Sequence, residues 1–430
     1  MGYRQRGLPE SVGRYALLRE LGRGAMATVF LAHDPFAGRE VALKLFTHAP
    51  GDLGLTRGTQ RASFLNEAAL VGRLHHPHIV PLLDAAVEQG FSYVVMEYVA
   101  GGTLAQHTSA ETRLPPERVV EVGFKLGRAL EYALQQGVIH RDIKPGNVLL
   151  ERPFDVKLSD FGVARIDSAT HTQISGVGSP AYMSPEHLTD RPLSHQTDIY
   201  SLGAVMYQLL SGRLPFYAHT AAELARKIVA QEPPPLRTLR PELPEALEAI
   251  VARALHKDLR QRYQSWFEFG RDLAGLARGL NEPLENLSEA RKFHAVRDLP
   301  FFRGFREIEI WETLRLASWR RLPDGATITE QGARGDAMYV LVEGRAEVTR
   351  GGVRLATLGA GDLFGRMLYF ADDIGARSTT VRAAGPVLLI ELKSTALNAA
   401  SDACQVQFNK ACMRLLVERL SQADRRRRAD

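Results

Sequence analysis

The sequence predicts an α+β chain in two folded parts: a large unit that opens with strands and continues with helices, then a small β-roll with flanking helices. Three observations predict it. Residues 15–21, 28–33, 40–45 and 93–98 are short runs rich in apolar residues and read as strands. Residues 116–136 and 243–255 carry apolar residues at helical spacing. Beyond residue 299 come short alternating runs, 327–330, 338–343, 346–350, 355–358 and 387–391, separated by glycine-bearing turns, and a helical pattern returns over 395–423.

At 430 residues the chain exceeds one ordinary core, and these changes of pattern divide it. Residues 1–14 are an N-terminal extension, 15–278 the large unit, and 279–297 a polar connecting helix that starts after Pro283. Residues 298–422 are the second unit with its C-terminal helix, and 423–430 a basic tail. Pro233, Pro234 and Pro235 mark an ordered loop inside the large unit rather than a linker.

An apolar fraction of 45% and a charged fraction of 24% are those of a globular protein. No stretch reaches the ~18 apolar residues of a membrane helix, and residues 1–10 have arginines without an apolar core. A cytoplasmic protein without a membrane span is expected. The two cysteines, Cys404 and Cys412, fall more than two turns apart on one expected helix and read as ordinary reduced residues. The net charge of +5 is mild, and the arginine run 425–428 reads as a solvated terminus. Too few residues follow the C-terminal helix for a DNA-binding unit, so no nucleic-acid partner is expected.

The chemistry sits in five short stretches. Gly22-Arg23-Gly24 lies between two expected strands, where glycines let a backbone approach phosphate oxygens closely; alone, it equally fits a tight hairpin. The next strand reads Val41-Ala42-Leu43-Lys44. A lysine inside an apolar strand needs a counter-charge, and Glu67, on a helix expected over 63–74, is the carboxylate for it. The third stretch, from His140 to Leu150, places Asp142, Lys144 and Asn147 in one loop. These are a carboxylate to act as base, an ammonium to neutralise a moving phosphoryl group, and an amide oxygen for magnesium. Asp160-Phe161-Gly162 adds a metal-binding carboxylate, and Ser184-Pro185-Glu186 follows. Phosphoryl transfer needs these parts: phosphates held still, a metal placed, a hydroxyl oriented and charge neutralised.

In this order the motifs resemble the Hanks-type Ser/Thr protein kinases, the bacterial branch most of all, over residues 15–278. The resemblance implies a bilobal kinase fold, ATP with magnesium or manganese as cofactors, and protein hydroxyls as substrates, with autophosphorylation. It implies that Asp142, Lys144, Lys44 and Glu67 are catalytic and that Asn147 and Asp160 hold the metal. ATP would be bound by Gly22, Gly24 and Lys44, with Val29, Ala42 and Leu149 around adenine and the backbone of Glu97 and Val99 beyond a gatekeeper, Met96. Asp198 would anchor the catalytic loop and Arg262 would pair with Glu186.

Departures from the family pattern are few. Ala27 takes the third glycine's place, Ser179 stands where threonine is usual and Ser184 where alanine is common; none removes a catalytic group. In the activation segment, residues 160–186, the hydroxyls are Ser168, Thr170, Thr172, Ser175 and Ser179. Thr170 and Thr172 are the expected autophosphorylation sites, with Arg141 as a waiting cation. The competing class is a pseudokinase scaffold, against which Lys44, Asp142, Asn147 and Asp160 stand. His75, His76 and His78 flank Pro77 where the family commonly has a His-Pro turn, and are not read as a metal site.

Residues 298–395 resemble a cyclic-nucleotide-binding domain. The residues that carry this are Leu299-Pro300-Phe301-Phe302, the turn Gly332 to Asp336, Tyr339 to Gly344, Leu358 to Gly365, and Arg377-Ser378-Thr379-Thr380-Val381. The resemblance implies a phosphate-binding cassette in which Arg377 and the backbone near Gly365 meet a cyclic phosphate. Arg366 stands where a glutamate would accept the ribose 2′-hydroxyl, and a guanidinium has no acceptor. Three readings stand: a more negative ligand using Arg366 and Arg377, weak binding of a cyclic mononucleotide, or a module for docking or homodimerisation. The ligand of this unit is unknown.

Overall fold

The computed structural model describes residues 10–24, 27–47, 57–88, 91–152, 155–161, 180–277, 289–333, 335–365 and 376–427. Thr170, Thr172, Arg366, residues 1–9, most of the expected connector and the last three tail residues lie outside them. The chain divides into two compact units, Met1–Ala277 and Arg278–Asp430.

The first unit opens with a six-stranded antiparallel sheet. Its strands are β1 (Ser11–Val12), β2 (Tyr15–Arg23), β3 (Ala27–Asp34), β4 (Arg39–Thr47), β5 (Leu82–Val87) and β6 (Phe91–Glu97), in the order β1-β2-β3-β4-β6-β5. Alternation along the strands decides what reaches the cleft. Val41, Leu43, Tyr93 and Val95 enter a core with Tyr15 and Phe30. Ala42, Lys44, Val94 and Met96 therefore share the opposite face, Ala42 opposite Met96 and Lys44 opposite Val94. Helix α1 (Arg57–Val71) seats Phe64 edge-on against Phe46 at 6.0 Å.

Among the described residues the rest of this unit is mainly helical, with one hairpin of β7 (Val148–Arg152) and β8 (Asp155–Leu158). Helix α2 (Pro116–Gln135) starts with proline at its first turn, where a missing N–H costs nothing. After α3 (Pro185–Leu188) comes α4 (His195–Ser211), buried along nearly its whole length. Ser194 caps α4 by accepting the Gln196 N–H. The helix ends at Gly212, φ +73°, where a Cβ would come within 2.4 Å of the Ala110 nitrogen, so glycine is required there. Helices α5 (Ala221–Ala230), α6 (Leu236–Leu239), α7 (Glu245–Ala254) and α8 (Trp266–Ala277) complete the unit.

The first described elements of the second unit are α9 (Glu289–Arg297) and α10 (Glu307–Leu316). Helix α9 comes from the expected connector but is built into this unit's core: Phe293 is fully buried and stacks on Trp311 at 4.8 Å. Among the described residues eight strands follow: β9 (Ser318–Leu322), β10 (Thr327–Thr329), β11 (Ala337–Glu343), β12 (Ala346–Arg350), β13 (Val353–Leu358), β14 (Leu363–Gly365), β15 (Thr380–Ala383) and β16 (Val387–Lys393). They form two antiparallel sheets, β10-β15-β12-β13 and β14-β11-β16-β9. One shared core holds Ile328, Val381 and Leu358 from the first sheet and Tyr339, Leu341, Phe364 and Leu389 from the second, as a β-roll requires.

The single helix expected over 395–423 is two, α11 (Ser394–Asn398) and α12 (Asp402–Arg427). The break lies at Ser401, whose N–H and hydroxyl both donate to the Glu312 carboxylate while its oxygen accepts the Cys404 N–H. Cys404 and Cys412 are buried, free thiols on α12. Burial pushes both up to about 11, the range of an unreactive thiol. Among the described residues no helix is long and apolar enough to cross a membrane.

Candidate functional site

The site is built where the loop before β7 meets the segment after β8. The Asp198 carboxylate, at the start of α4, accepts the main-chain N–H groups of His140 and Arg141 at 2.8 and 2.7 Å. Burial pushes this carboxyl up from its usual range, and the His140 and Arg141 donors pull against that without cancelling it. The strapping allows Arg141 to hold φ +66°, a left-handed backbone that is costly for a side-chain-bearing residue. His140 is fully buried and receives the Asp142 N–H at Nδ1, 3.2 Å, so its Nε2 carries the proton and donates to the Ser159 carbonyl at 2.9 Å. Its ring lies 4.5 Å from that of Phe161.

On this base the polar groups converge. Lys144 Nζ donates to Asp142 Oδ2 at 2.7 Å. Asn147 Nδ2 donates to Asp142 twice, to its carbonyl at 2.8 Å and to Oδ2 at 3.1 Å. The Asn147 main chain is held by Ser159, whose N–H donates to the Asn147 carbonyl at 2.8 Å. With Nδ2 committed, the Asn147 amide oxygen is left to accept or to ligate. The Arg141 side chain is exposed and makes no ion pair among the described residues.

The structure brings Lys44 to this group, with a change of partner. Among the described residues its counter-ion is Asp160, Nζ to Oδ1 at 2.5 Å, and not the Glu67 carboxylate expected from sequence. Asp160 is held at φ +64° just after β8, a conformation an aspartate tolerates, and that places its carboxylate on the ammonium. Glu67 lies half-buried on α1. A cavity is lined by Lys44, Val80, Leu82, Met96, Asp160 and Phe161.

Gly22 and Gly24 lie at the end of β2, Gly22 opposite Val29. Among the described residues, a Cβ on Gly22 would meet nothing within 4 Å, and one on Gly24 only the Ala27 carbonyl at 3.6 Å. Packing therefore does not require either glycine. Ala42 is buried, and Val29, Met96, Glu97, Val99 and Leu149 are half-buried along the same strands and their exit.

Sequence reasoning missed Lys157. Its ammonium, on β8, is buried and donates to both carboxylate oxygens of Glu97 at 2.9 and 2.8 Å, and it pairs with Glu151 at 2.9 Å. A lysine inside an apolar strand, the signal that singled out Lys44, was equally present at this position.

Away from the cleft, Arg262 is fully buried against Glu186, Nη1 to Oε1 at 2.8 Å and Nη2 to Oε2 at 3.2 Å. Burial pushes the Glu186 carboxyl up, and the Arg262 guanidinium more than offsets it, leaving the group below the usual carboxylate range. The His76 ring is buried and stacked on Tyr132 at 5.4 Å, and His78 Nδ1 lies 2.9 Å from the Val156 carbonyl.

In the second unit, Arg377 Nη1 is buried and meets no hydrogen-bond acceptor among the described residues. Its guanidinium carbon lies 5.6 Å from the Tyr339 ring centroid, and a Cβ on Gly335 would come within 2.2 Å of Nη2. Gly365 closes β14 at φ +92°.

A family model of the protein kinase domain matches residues 15–268, and one of the cyclic nucleotide-binding domain matches residues 319–403. The chain is 37% identical over 258 residues to the serine/threonine-protein kinase PrkC of Bacillus subtilis, covering 59% of this chain and 39% of that protein. It is 40% identical over 269 residues to a probable serine/threonine-protein kinase of Streptomyces coelicolor, covering 61% and 39%. It is 35% identical over 272 residues to the serine/threonine-protein kinase PknB of Mycobacterium leprae, covering 62% and 43%. The chain thus spans well under half the length of these relatives. Among solved structures it is similar to Rad53 1–466 in complex with AMP-PNP, with a TM-score of 0.51 and 26% identity over 60% of this chain and 64% of that one.

Proposed function

Because this chain belongs to the protein kinase family, we propose that it transfers the γ-phosphate of ATP to Ser and Thr hydroxyls of proteins, its own chain included. The observation that carries this reading is the loop in which Lys144 and Asn147 both donate to the Asp142 carboxylate. Asp142 accepts the hydrogen bond of the incoming hydroxyl and takes its proton. Lys144, already within reach of that carboxylate, neutralises charge on the phosphoryl group as it moves.

The residues present fit ATP and a divalent cation. Two glycines that packing does not require leave the end of β2 bare for phosphate oxygens. Lys44 supplies a cation to them, and Ala42, Val29 and Leu149 supply apolar surface for adenine. The backbone of Glu97 and Val99 offers it hydrogen bonds, with Lys157 bracing the Glu97 side chain. The AMP-PNP in the Rad53 structure supports a nucleotide in this cleft. Asp160 and the Asn147 amide oxygen are hard oxygen donors of the kind magnesium takes alongside phosphates. When bound, the cation neutralises the β- and γ-phosphates and leaves Asp142 to handle the proton.

The second unit binds an anion through Arg377. A buried guanidinium N–H without an acceptor is costly, and a phosphate oxygen removes that cost. Such a ligand gates the kinase to the extent that it prefers one kinase conformation. The test of the transferase reading is mass spectrometry after incubation with ATP and magnesium. Phosphate on Thr170 and Thr172 is expected; phosphorylation elsewhere with both unmodified would reassign the sites, and none at all would favour a scaffold.

A further inference from the structure

The lysines of the first unit share a rule with one exception. Lys44 pairs with Asp160, Lys125 with Glu121, Lys144 with Asp142, Lys157 with Glu97, and Lys227 with Glu223, each within 4 Å. Among the described residues Lys257 has no carboxylate at that range. Its Nζ lies instead against two aromatic rings, 4.3 Å from the Phe216 centroid and 5.2 Å from that of Tyr200, and donates to the Tyr200 hydroxyl at 3.1 Å. The same Tyr200 ring carries the Arg262 guanidinium at 5.1 Å, so a second positive charge sits close by.

A half-buried ammonium with a cationic neighbour and no ion pair is pressed towards its neutral form. Burial pushes Lys257 down to about 8; Glu232 and Glu186 pull it back up, while Arg262 adds to the fall. The aromatic faces favour the cation, but only weakly at a partly exposed site. At pH 7.5 an amine titrating at about 8 is about one-quarter neutral, against about one part in a thousand for an ordinary lysine. The side chain is half-buried rather than sealed, and it stands on the loop after α7, where the Arg260 side chain is 90% exposed.

We propose that Lys257 is an acylation site: its amine is the nucleophile for small activated acyl groups, acyl phosphates or acyl thioesters. The nitrogen lone pair adds to the acyl carbonyl carbon. The bond from that carbon to the phosphate oxygen or thioester sulfur breaks, phosphate or thiolate leaves with the electron pair, and the amine's proton passes to water. The product is a neutral amide beside Tyr200 and the Glu186–Arg262 pair. No other co-reactant is needed.

The test is competitive acetylation of the intact chain, with acetyl phosphate in one arm and acetyl-coenzyme A in the other, from pH 6.5 to 10. Peptide mass spectrometry compares Lys257 with Lys393 and Lys410, both exposed lysines of the second unit. At pH 7.5 Lys257 is expected to react at least tenfold faster than either in one arm or both, and its rate to level off above about pH 8.5. The preference is expected to vanish in the urea-unfolded chain. A Lys257 rate no greater than that of Lys410 in both arms, or a preference that persists in urea, would overturn the proposal. The arm that labels identifies the donor class.

Discussion

Asn147 reaches Asp142 twice with one nitrogen, at 2.8 Å to the carbonyl and 3.1 Å to the carboxylate. That commits the amide's donor side to the base and its oxygen to whatever lies in the cleft. Replacing Asn147 by alanine removes both roles. Turnover is expected to fall by about 10²-fold or more, the usual loss on removing one preorganised polar group at a transferring centre. The Ser159 N–H still donates to the main-chain carbonyl of residue 147, so the thermal midpoint should barely move. Phosphate incorporation and a melting curve on the same sample check both halves.

Glu186→Gln tests the buried ion pair. It leaves the Arg262 guanidinium fully buried without its counter-charge, and the expected loss is ~3–5 kcal/mol of stability. The folded carboxyl titrates below its usual 4.5, so the ion pair's contribution is fully present above about pH 4.5 and fades as pH falls through the depressed folded value. Urea midpoints of the two proteins should therefore differ most at neutral pH and converge in acid. A gap that holds constant down to pH 3 would contradict this.

His76 acts in the same direction, at a higher pH. Burial first, then the charges of His78 and Arg128, hold it well below 6.5 in the folded chain. The unfolded chain takes up this proton below about pH 6.5 and the folded chain does not, so acid favours unfolding. Between pH 7.5 and 5.5 the expected loss from this residue is about 1.4 kcal/mol. His76→Asn retains an acceptor for the His78 N–H and lacks the titration, so its stability should fall less over the same range. Equal losses would show that His76 is not the group responsible.

Arg377→Ala tests the second unit. Isothermal calorimetry with a panel of cyclic mono- and dinucleotides should give heat with the intact chain for at least one of them, and none with the variant. Unchanged affinity would move the site away from Arg377.

How far these features were legible depends on how local their cause is. The strands carrying Lys44 and Met96 were placed to within two residues, because apolar alternation is written in the segment itself. The loop around Asp142 was equally plain, since its charged and amide residues are crowded at fixed spacing. β5 was missed: Leu82–Val87 is half-buried at every position and has no alternation to detect. β9 was missed because arginines interrupt Ser318–Leu322. The partner of Lys44 was misjudged for a different reason. Which of two carboxylates, Glu67 or Asp160, meets the ammonium depends on the backbone turn after β8, and a φ of +64° at an aspartate leaves no mark in sequence. The Lys157–Glu97 contact joins residues 60 positions apart and exists only once the hairpin folds onto the sheet's exit.

The measurement that bears most directly on the kinase reading is incorporation of radiolabelled phosphate from ATP with magnesium, the intact chain beside Asp142→Asn. The substitution keeps the size of the side chain and an acceptor for the Lys144 and Asn147 hydrogen bonds but removes the base. Incorporation by the intact chain, reduced by roughly 10²–10⁴-fold in the variant, is the expected result. Equal incorporation by both, or none by either, would contradict it.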